Sequence, residues 1–218
     1  YKQIFLKRGK EESLKRFHPW IFSGAIHHMD EGIEEGETVR VITAAGEFIA
    51  VGHYQIGSIA VRVLSFEDIE INTDFWCERL QSALDVRIGV GIADSPTNNT
   101  YRLVHGEGDY LPGLVIDCYG STAVMQAHSV GMHVCRNEIC QALVQVMGDR
   151  IANVYYKSET TLPYKADLHQ ENGFLVGGDA SNVAMENGLK FHIDWLRGQK
   201  TGFFVDQREN RSLLEQYA

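Results

Sequence analysis

A run near the end of the sequence, GQKTGFFVDQRENR (198–211), concentrates residue types that bind ligands. Glycines let a backbone come close to a bound molecule, and Lys200 and Arg208 supply positive charge. Phe203 or Phe204 can cover a flat ring. These properties favour a binding segment. The alternative is a plain connection between a strand and a helix.

A second stretch, RFHPWIFSGAI (16–26), places several rings beside a rigid proline and a permissive glycine. Such a turn can offer stacking and hydrogen-bonding groups to a nucleotide, while neighbouring lysines and arginines bind its phosphates. The alternative is that Trp20 and Phe22 are core residues and His18 is a satisfied turn residue.

A third stretch, YRLVHGEGDYLPGLVIDCYG (101–120), holds His105, Glu107 and Asp109 between glycines. A histidine with two nearby carboxylates suits a metal or acid–base site, but the same residues also suit tight turns in a hairpin. The stretch lacks the glycine pattern of a dinucleotide loop and the GK[ST] of a phosphate-binding loop. We expect no bound metal. The sequence also shows no serine or cysteine in the setting of an activated nucleophile.

The four cysteines form no CxxC pair, which favours reduced structural thiols. The net charge of −9 argues against nucleic acid as a partner. However, residues 1–28 hold six basic and two acidic residues, so this end can face a polyanion. No apolar run has the length of a membrane span, and no signal peptide is visible. These features predict a cytoplasmic protein that does not contact membranes.

Hydrophobic periodicity predicts the secondary structure around these residues. In the first seventy residues, QIFLK, TVRVIT, EFIAVGHY and IAVRVLSF alternate apolar and polar positions, which predicts a small β-barrel with a short basic helix inserted. The spacing predicts a helix from Asp74 to Val90, capped by Thr73 or Asp74. Strands in 100–129, a helix over about 132–147 and a strand at 153–158 predict an α+β domain with a mostly antiparallel sheet.

The end of the sequence predicts a hairpin and a final helix. Asn187 and Gly188 suit a two-residue turn. Asp206, with Glu209 three residues later, suggests a capping box. The helix that follows has an apolar face with little to pack against unless more chain follows; this face consists of Leu213, Leu214 and Tyr217.

Three ordered motifs carry a resemblance to a known family. HPWIFSGAI, YRLVHGEGDYLPGLVID and GLKFHIDWLRGQKTGFFVDQRENR resemble the S-adenosylmethionine-dependent methyltransferases of large-subunit ribosomal RNA that have an N-terminal PUA domain, among them the enzyme that makes 5-methylcytosine. The resemblance covers essentially the whole chain. It implies a PUA-like barrel (1–70), a central α+β domain (71–188) and the beginning of a Rossmann-like methyltransferase domain (189–218). The chain then corresponds to the first half of a longer enzyme.

The resemblance also implies roles for individual residues. S-adenosylmethionine (SAM) is the expected cofactor of the full-length protein and ribosomal RNA the expected partner, with a homodimer left open. No residue of this chain is expected to be catalytic, and the chain alone is expected to be inactive. The candidates for the cofactor and target-base pocket are Lys200, Thr201, Gly202, Phe203, Phe204, Asp206, Arg208 and Arg211. The candidates for RNA binding are Lys7, Arg8, Lys15, Arg16, His18, Trp20, Ser23 and Gly24.

Two other functions remain open from the residues. One is a non-catalytic RNA-binding or ribosome-assembly module. The other is a small-molecule enzyme that uses His105, Glu107 and Asp109 with a metal.

Overall fold

The N-terminal part of the chain folds into a curled sheet of six strands. The computed structural model describes residues 1–163, 168, 171–178 and 182–217. The six strands are β1 (Lys2–Leu6), β2 (Trp20–Phe22), β3 (Ile26–Met29), β4 (Thr38–Ile42), β5 (Phe48–Tyr54) and β6 (Ile59–Ser65). Their order is β2-β6-β5-β4-β1-β3, and β1 and β4 are the one parallel pair among these six strands.

The two edge strands of this sheet, β2 and β3, follow each other in the chain. Only the turn Ser23–Ala25 separates them, so the sheet must curl to bring its edges together. Its concave face encloses a core that includes Ile4, Leu14 and Val61. The curled sheet agrees with the predicted barrel. The sequence did not predict β2 and β3 as strands, and the inserted helix is one 3₁₀ turn, Leu14–Arg16.

A second sheet of five strands follows, with helices on one face. The elements are α1 (Thr73–Gly89), β7 (Thr100–His105), β8 (Leu114–Tyr119), β9 (Thr122–Ala127), α2 (Val130–Val134), α3 (Arg136–Met147), β10 (Asn153–Tyr156) and β11 (Gly173–Val176). The order is β11-β10-β9-β8-β7, and every neighbouring pair is antiparallel except β9 and β10. The predicted mostly antiparallel α+β arrangement is therefore confirmed.

Two details of the helices differ from the prediction. Asn72, rather than Thr73 or Asp74, caps α1, because its Oδ1 accepts a 3.0 Å hydrogen bond from the Phe75 N–H. The helix predicted over about 132–147 is two helices that meet at Cys135, where α2 ends before α3 begins.

The other face of the five-stranded sheet is covered by a hairpin, β12 (Val183–Glu186) and β13 (Leu189–His192). Asn187 and Gly188 both have positive φ, 51° and 80°, as the predicted tight turn requires. Trp195, which follows the hairpin, packs with Tyr119 and Tyr155 of the sheet. The sheet is therefore covered on both faces.

The last helix, α4 (Arg208–Leu213), begins without a side-chain cap. The predicted capping box is wrong, because residues 205–207 form a 3₁₀ turn that moves the helix start past Asp206. The predicted apolar residues Leu213, Leu214 and Tyr217 are exposed. None of the helices that the structure describes has the length and apolar character needed to cross a bilayer.

The two sheets meet through a buried junction. His53 of β5 is 2% exposed and lies against Trp76 of α1, with ring centroids 6.2 Å apart. Gly131 of α2 is needed there, because a Cβ at this position would lie 2.2 Å from the His53 ring. On the surface, Trp20 Nε1 donates a 2.9 Å hydrogen bond to Glu107. These contacts fix residues 16–26, called the aromatic turn below, relative to the five-stranded sheet, called the central sheet below.

Candidate functional site

Thr201 anchors the 198–211 segment in the protein interior. Its hydroxyl donates a 2.5 Å hydrogen bond to Asp117 Oδ2, and both residues are fully buried. The Tyr119 hydroxyl lies 2.7 Å from the same Thr201 oxygen. Because the Thr201 proton is used on Asp117, Tyr119 is the donor of this second bond. Burial raises the pKa of Tyr119, so its proton stays in place.

Asp117 is also the partner of Arg102. The guanidinium binds both carboxylate oxygens, with Nε and Nη2 at 2.8 and 3.0 Å. This bidentate bond raises the pKa of Arg102. A buried carboxylate therefore joins strands β7 and β8 to a loop more than eighty residues away.

The glycines of the segment make room for the chain itself. A Cβ on Gly202 would lie 2.5 Å from the Trp195 Cα, and the φ of Gly202 is +111°. A Cβ on Gly198 would lie 2.3 Å from the Asp194 carbonyl oxygen. The sequence suggested that these glycines admit a ligand. The structure instead shows the backbone folded tightly onto residues 194–195.

Arg208 and Arg211 share one buried carboxylate, Glu186 at the end of β12. Arg211 binds both of its oxygens, at 2.7 and 2.8 Å, and Arg208 Nε lies 3.5 Å from one of them. Arg208 also donates to the Thr100 carbonyl. The Arg211 guanidinium lies 4.1 Å from the centre of the Phe203 ring. These two cations therefore hold the final helix against the hairpin.

Three of the candidates are exposed: Lys200, Phe204 and Asp206. Lys200 Nζ lies 4.6 Å from the centre of the Phe204 ring, and Phe204 is 42% exposed. A hydrogen bond from the Gln207 amide, with smaller effects of Lys200 and Arg102, lowers the pKa of Asp206. A ligand at this surface meets these three side chains first.

Asp206 borders an open cleft of about 500 Å³ between the segment and the central sheet. The cleft is lined by Arg87, Ile92, Tyr101, Arg102, His105, Val205, Asp206, Arg208 and Glu209. Three of its lining residues are arginines, and each is paired with a carboxylate outside the lining, namely Asp109, Asp117 or Glu186. No local pattern groups Arg87 and Arg102 with the segment, because only the fold brings α1 and β7 beside it.

The aromatic turn presents its rings outward. Trp20 is half-buried and Phe22 is 49% exposed. His18 lies 5.9 Å from the Trp20 ring and 6.3 Å from the Phe22 ring. The alternative in which Trp20 and Phe22 are core residues is therefore wrong for Phe22. The prediction that His18 is a hydrogen-bonded turn residue agrees with the structure, since its Nδ1 accepts a 3.2 Å hydrogen bond from the Trp20 backbone N–H.

The RNA-binding candidates lie in neighbouring patches rather than in one pocket. Trp20 and Gly24 line a cavity of about 320 Å³ together with Lys10, Ser13 and Phe22. Lys7 and Arg8 line another of about 620 Å³, where His27 and His28 add further rings. The patches are linked, because Lys7 Nζ donates a 2.9 Å hydrogen bond to the Gly24 carbonyl.

Lys15, Arg16 and Ser23 line neither cavity. Lys15 pairs with Glu12 at 2.9 Å, and both side chains are largely exposed. Arg16 Nε lies 3.4 Å from the Glu12 carbonyl. Ser23 is exposed, and its backbone N–H binds the Ser58 carbonyl. Their charges and hydroxyl remain accessible at the rim of the aromatic turn.

His105, Glu107 and Asp109 point to different partners. Asp109 pairs with Arg87 and accepts from the His105 backbone N–H, while Glu107 binds Trp20. Among the residues that the structure describes, no three His, Cys, Asp or Glu side chains are grouped as metal ligands. The arrangement supports the structural alternative for these acids.

The cysteines are free thiols in surroundings that favour the protonated form. Burial raises the pKa of Cys118 to about 12 and those of Cys135 and Cys140 to about 11. Burial and Asp74 also raise the pKa of Cys77. A thiol needs a lowered pKa to act as a nucleophile near neutral pH, so these positions do not suit that role.

The comparisons agree with the resemblance found in the sequence. A family model described as a PUA-like domain matches residues 4–66. The Vibrio parahaemolyticus protein named Ribosomal RNA large subunit methyltransferase I is 40% identical over 217 residues, covering 98% of this chain and 54% of that protein. A protein of the same name from Aliivibrio fischeri is 37% identical over 218 residues, with the same coverage.

Two solved structures share the fold. A Streptococcus mutans chain described as a candidate SAM-dependent methyltransferase has a TM-score of 0.80 at 23% identity, covering 98% of this chain and 54% of its own. SMU.776, a candidate methyltransferase complexed with SAH, has a TM-score of 0.79 at 23% identity, covering 98% of this chain and 53% of its own.

The chain spans about half the length of the curated relatives it matches. With its PUA-like domain at residues 4–66, it resembles over nearly all its length the N-terminal half of the proteins named ribosomal RNA large subunit methyltransferase I.

Proposed function

We propose that this chain is the RNA-positioning part of a SAM-dependent enzyme that methylates large-subunit ribosomal RNA. The observation that carries the proposal is the exposed aromatic turn, where the His18, Trp20 and Phe22 rings lie close together within the PUA-like domain. Unstacked bases bind to such rings in single-stranded or looped RNA. The names of the relatives supply the reaction and the class of RNA.

The segment boundaries follow the sequence interpretation: an RNA-binding unit at 1–70, a central unit at 71–188 and the start of a methyltransferase unit at 189–218. Within the last unit, the contacts divide the candidates for the cofactor and target-base pocket. Lys200, Phe204 and Asp206 would face a ligand. The remaining candidates hold the segment in place through Asp117, Glu186 and Trp195.

SAM supplies an activated methyl group when it is bound. For cytosine C5 as the target, the expected chemistry is attack of a cysteine thiolate on the ring before methyl transfer. The thiols of this chain have raised pKa values, which supports a thiolate located outside these residues. We therefore expect the 218-residue chain to bind RNA without methylating it. The role of the chain's own residues is to bind the RNA and hold the target base unstacked.

The salt dependence of RNA binding tests the first part of this proposal. Binding of a fluorescein-labelled single-stranded RNA of about 20 nucleotides is measured by anisotropy at several salt concentrations. The variant with Lys7, Arg8, Lys15 and Arg16 all changed to Ala should bind more weakly and with a flatter salt slope, because fewer phosphates are neutralised. If the salt slope equals that of the original chain, the RNA binds to a surface other than these four residues.

The second candidate function is an RNA-binding or ribosome-assembly module without chemistry. The same exposed rings support it. One assay distinguishes the two candidates. A longer protein that contains this chain and has the full length of its relatives is incubated with ribosomal RNA and labelled SAM. Methyl transfer favours the enzyme, and binding without transfer favours the module.

A further inference from the structure

A small cleft lies where the curled sheet meets the β7–β8 hairpin. Its volume is about 290 Å³, and the polar side chains that line it are those of Arg62, His105, Glu107 and His128. The sequence did not single out Arg62 or His128. The sequence presented His105 and Glu107 as a metal or acid–base site or as residues of tight turns in a hairpin. The polar side chains of the cleft belong to the hydrophobic core of neither sheet.

Arg62 is the cation of this cleft. It lies on β6 directly opposite Trp20 of β2, so both side chains emerge on the same face of the sheet. Its Nη1 donates a 3.1 Å hydrogen bond to the neutral Gln55 side chain. Within the described part of the chain, Arg62 takes part in no ion pair of 4.0 Å or less, whereas Arg87 and Arg102 nearby each bind an aspartate.

A half-buried guanidinium without a carboxylate is costly. Burial lowers the pKa of Arg62, and the more distant Glu107 charge only partly opposes this effect. Burying a charge without a paired anion is unfavourable. The acid whose charge acts on Arg62, Glu107, instead accepts a 2.9 Å hydrogen bond from Trp20 Nε1. Arg62 therefore retains donors for an anion that comes from outside.

The cleft also connects the two candidate regions. Glu107 at its rim is bonded to Trp20, which lines the cavity of the aromatic turn. At the other side, His105 lines both this cleft and the arginine-walled cleft that Asp206 borders. Arg102 Nη1 lies 3.4 Å from His105 Nδ1. A strand that leaves the aromatic turn can thus pass along these residues toward Lys200.

We propose that the cleft lined by Arg62, His105 and His128 binds a backbone phosphate of the RNA strand that runs from the aromatic turn to the Lys200–Phe204 surface. This inference rests on the proposed function and names the path of the RNA across the central sheet. The planar guanidinium of Arg62 suits two phosphate oxygens. The histidine rings add hydrogen bonds, and Glu107 limits the affinity by repelling the phosphate.

Two substitutions with opposite expected effects on RNA affinity test the proposal. Both are made in a longer protein that contains this chain and has the full length of its relatives. Binding of the fluorescein-labelled single-stranded RNA is measured between about 50 and 200 mM salt. Arg62→Gln should raise Kd about three- to tenfold and lower the salt slope by about 0.7, the value for one phosphate contact on a single strand. Glu107→Gln should lower Kd, because it removes a repulsive charge and keeps an oxygen for Trp20.

Arg40→Gln is the matched control. Arg40 lies in the same sheet, pairs with Asp68 and loses the same charge when substituted, but it does not line the cleft. It should leave the slope unchanged. An Arg62→Gln slope equal to that of the original protein overturns the proposal, as does a Glu107→Gln variant that binds no more tightly. If the original protein fails to bind RNA at all, the proposed function itself is wrong.

Discussion

The hydroxyl of Thr201 donates a 2.5 Å hydrogen bond to the carboxylate of Asp117, and both residues are completely shielded from solvent. Because Asp117 also binds Arg102 through both oxygens, one carboxylate fixes the 198–211 segment to two strands of the central sheet. The exposed Lys200 and Phe204 therefore stand on a rigid base. A surface that binds a ligand benefits from this rigidity, because less entropy is lost on binding.

Thr201→Val should destabilise the chain by about 1–3 kcal/mol, because it leaves a buried Asp117 oxygen and the Tyr119 hydroxyl with one partner fewer. The measurement is urea unfolding. Thr201→Ser keeps the hydroxyl and is the matched control, with a smaller loss. Equal stability of the Val and Ser variants would show that the hydrogen bonds contribute nothing.

Gly202→Ala should destabilise the chain more than Gly46→Ala does. Both glycines have positive φ, +111° and +86°, but a Cβ at Gly46 meets nothing within 4 Å whereas one at Gly202 would touch the Trp195 backbone. The Gly46 variant carries the backbone strain alone, about 1 kcal/mol. Thermal unfolding of the two variants compares them. A Gly202 variant no less stable than the Gly46 variant would contradict the tight packing.

His53 should make stability fall in mild acid. Burial, with a smaller effect of Arg62, lowers the pKa of His53 from 6.5 to about 4. As the pH falls, the unfolded chain takes up the proton first, so stability is complete above about pH 6.5 and is lost toward pH 4. The loss is about 3 kcal/mol if the whole shift is expressed.

Urea unfolding at a series of pH values measures this dependence. His53 faces Trp76 and the Cys135 thiol, whose sulfur is 3.7 Å from Nε2. In the His53→Gln variant, the free energy of unfolding should fall less between pH 6.5 and 4. The difference should be about the amount that His53 contributes. Parallel pH profiles for the two proteins would exclude His53 as the cause.

Phe22→Ala should weaken the binding of single-stranded RNA about tenfold, because base stacking on one ring contributes about 1–3 kcal/mol. Tyr217→Ala is the control, since Tyr217 is 86% exposed but lies at the other end of the sequence. Anisotropy titrations at one salt concentration compare the two variants. If both lose the same affinity, the rings of the aromatic turn have no special part in binding.

Local patterns predicted those elements whose signals lie within a few residues. The periodicity of α1 and the Asn187–Gly188 turn both appear in the structure as expected. The strands β2 and β3 escaped prediction because each is three or four residues long and carries rings or histidines instead of an alternating pattern. The capping box failed because a 3₁₀ turn takes up residues 205–207.

The candidate site was predictable only in part, for a related reason. The sequence grouped Lys200, Arg208 and Arg211 by proximity in the chain. The fold separates them, since Glu186 binds the two arginines while Lys200 reaches solvent. Asp117, the partner of Thr201, lies far away in the chain, and no local spacing signals a contact made by tertiary packing.

The most direct test of the proposed function is methyl transfer from labelled SAM to purified large-subunit ribosomal RNA. We expect a longer protein that contains this chain and has the full length of its relatives to label the RNA. The folded 218-residue chain should bind the RNA and leave it unlabelled. Labelling by the 218-residue chain alone, or no labelling by the folded longer protein, would contradict the proposal.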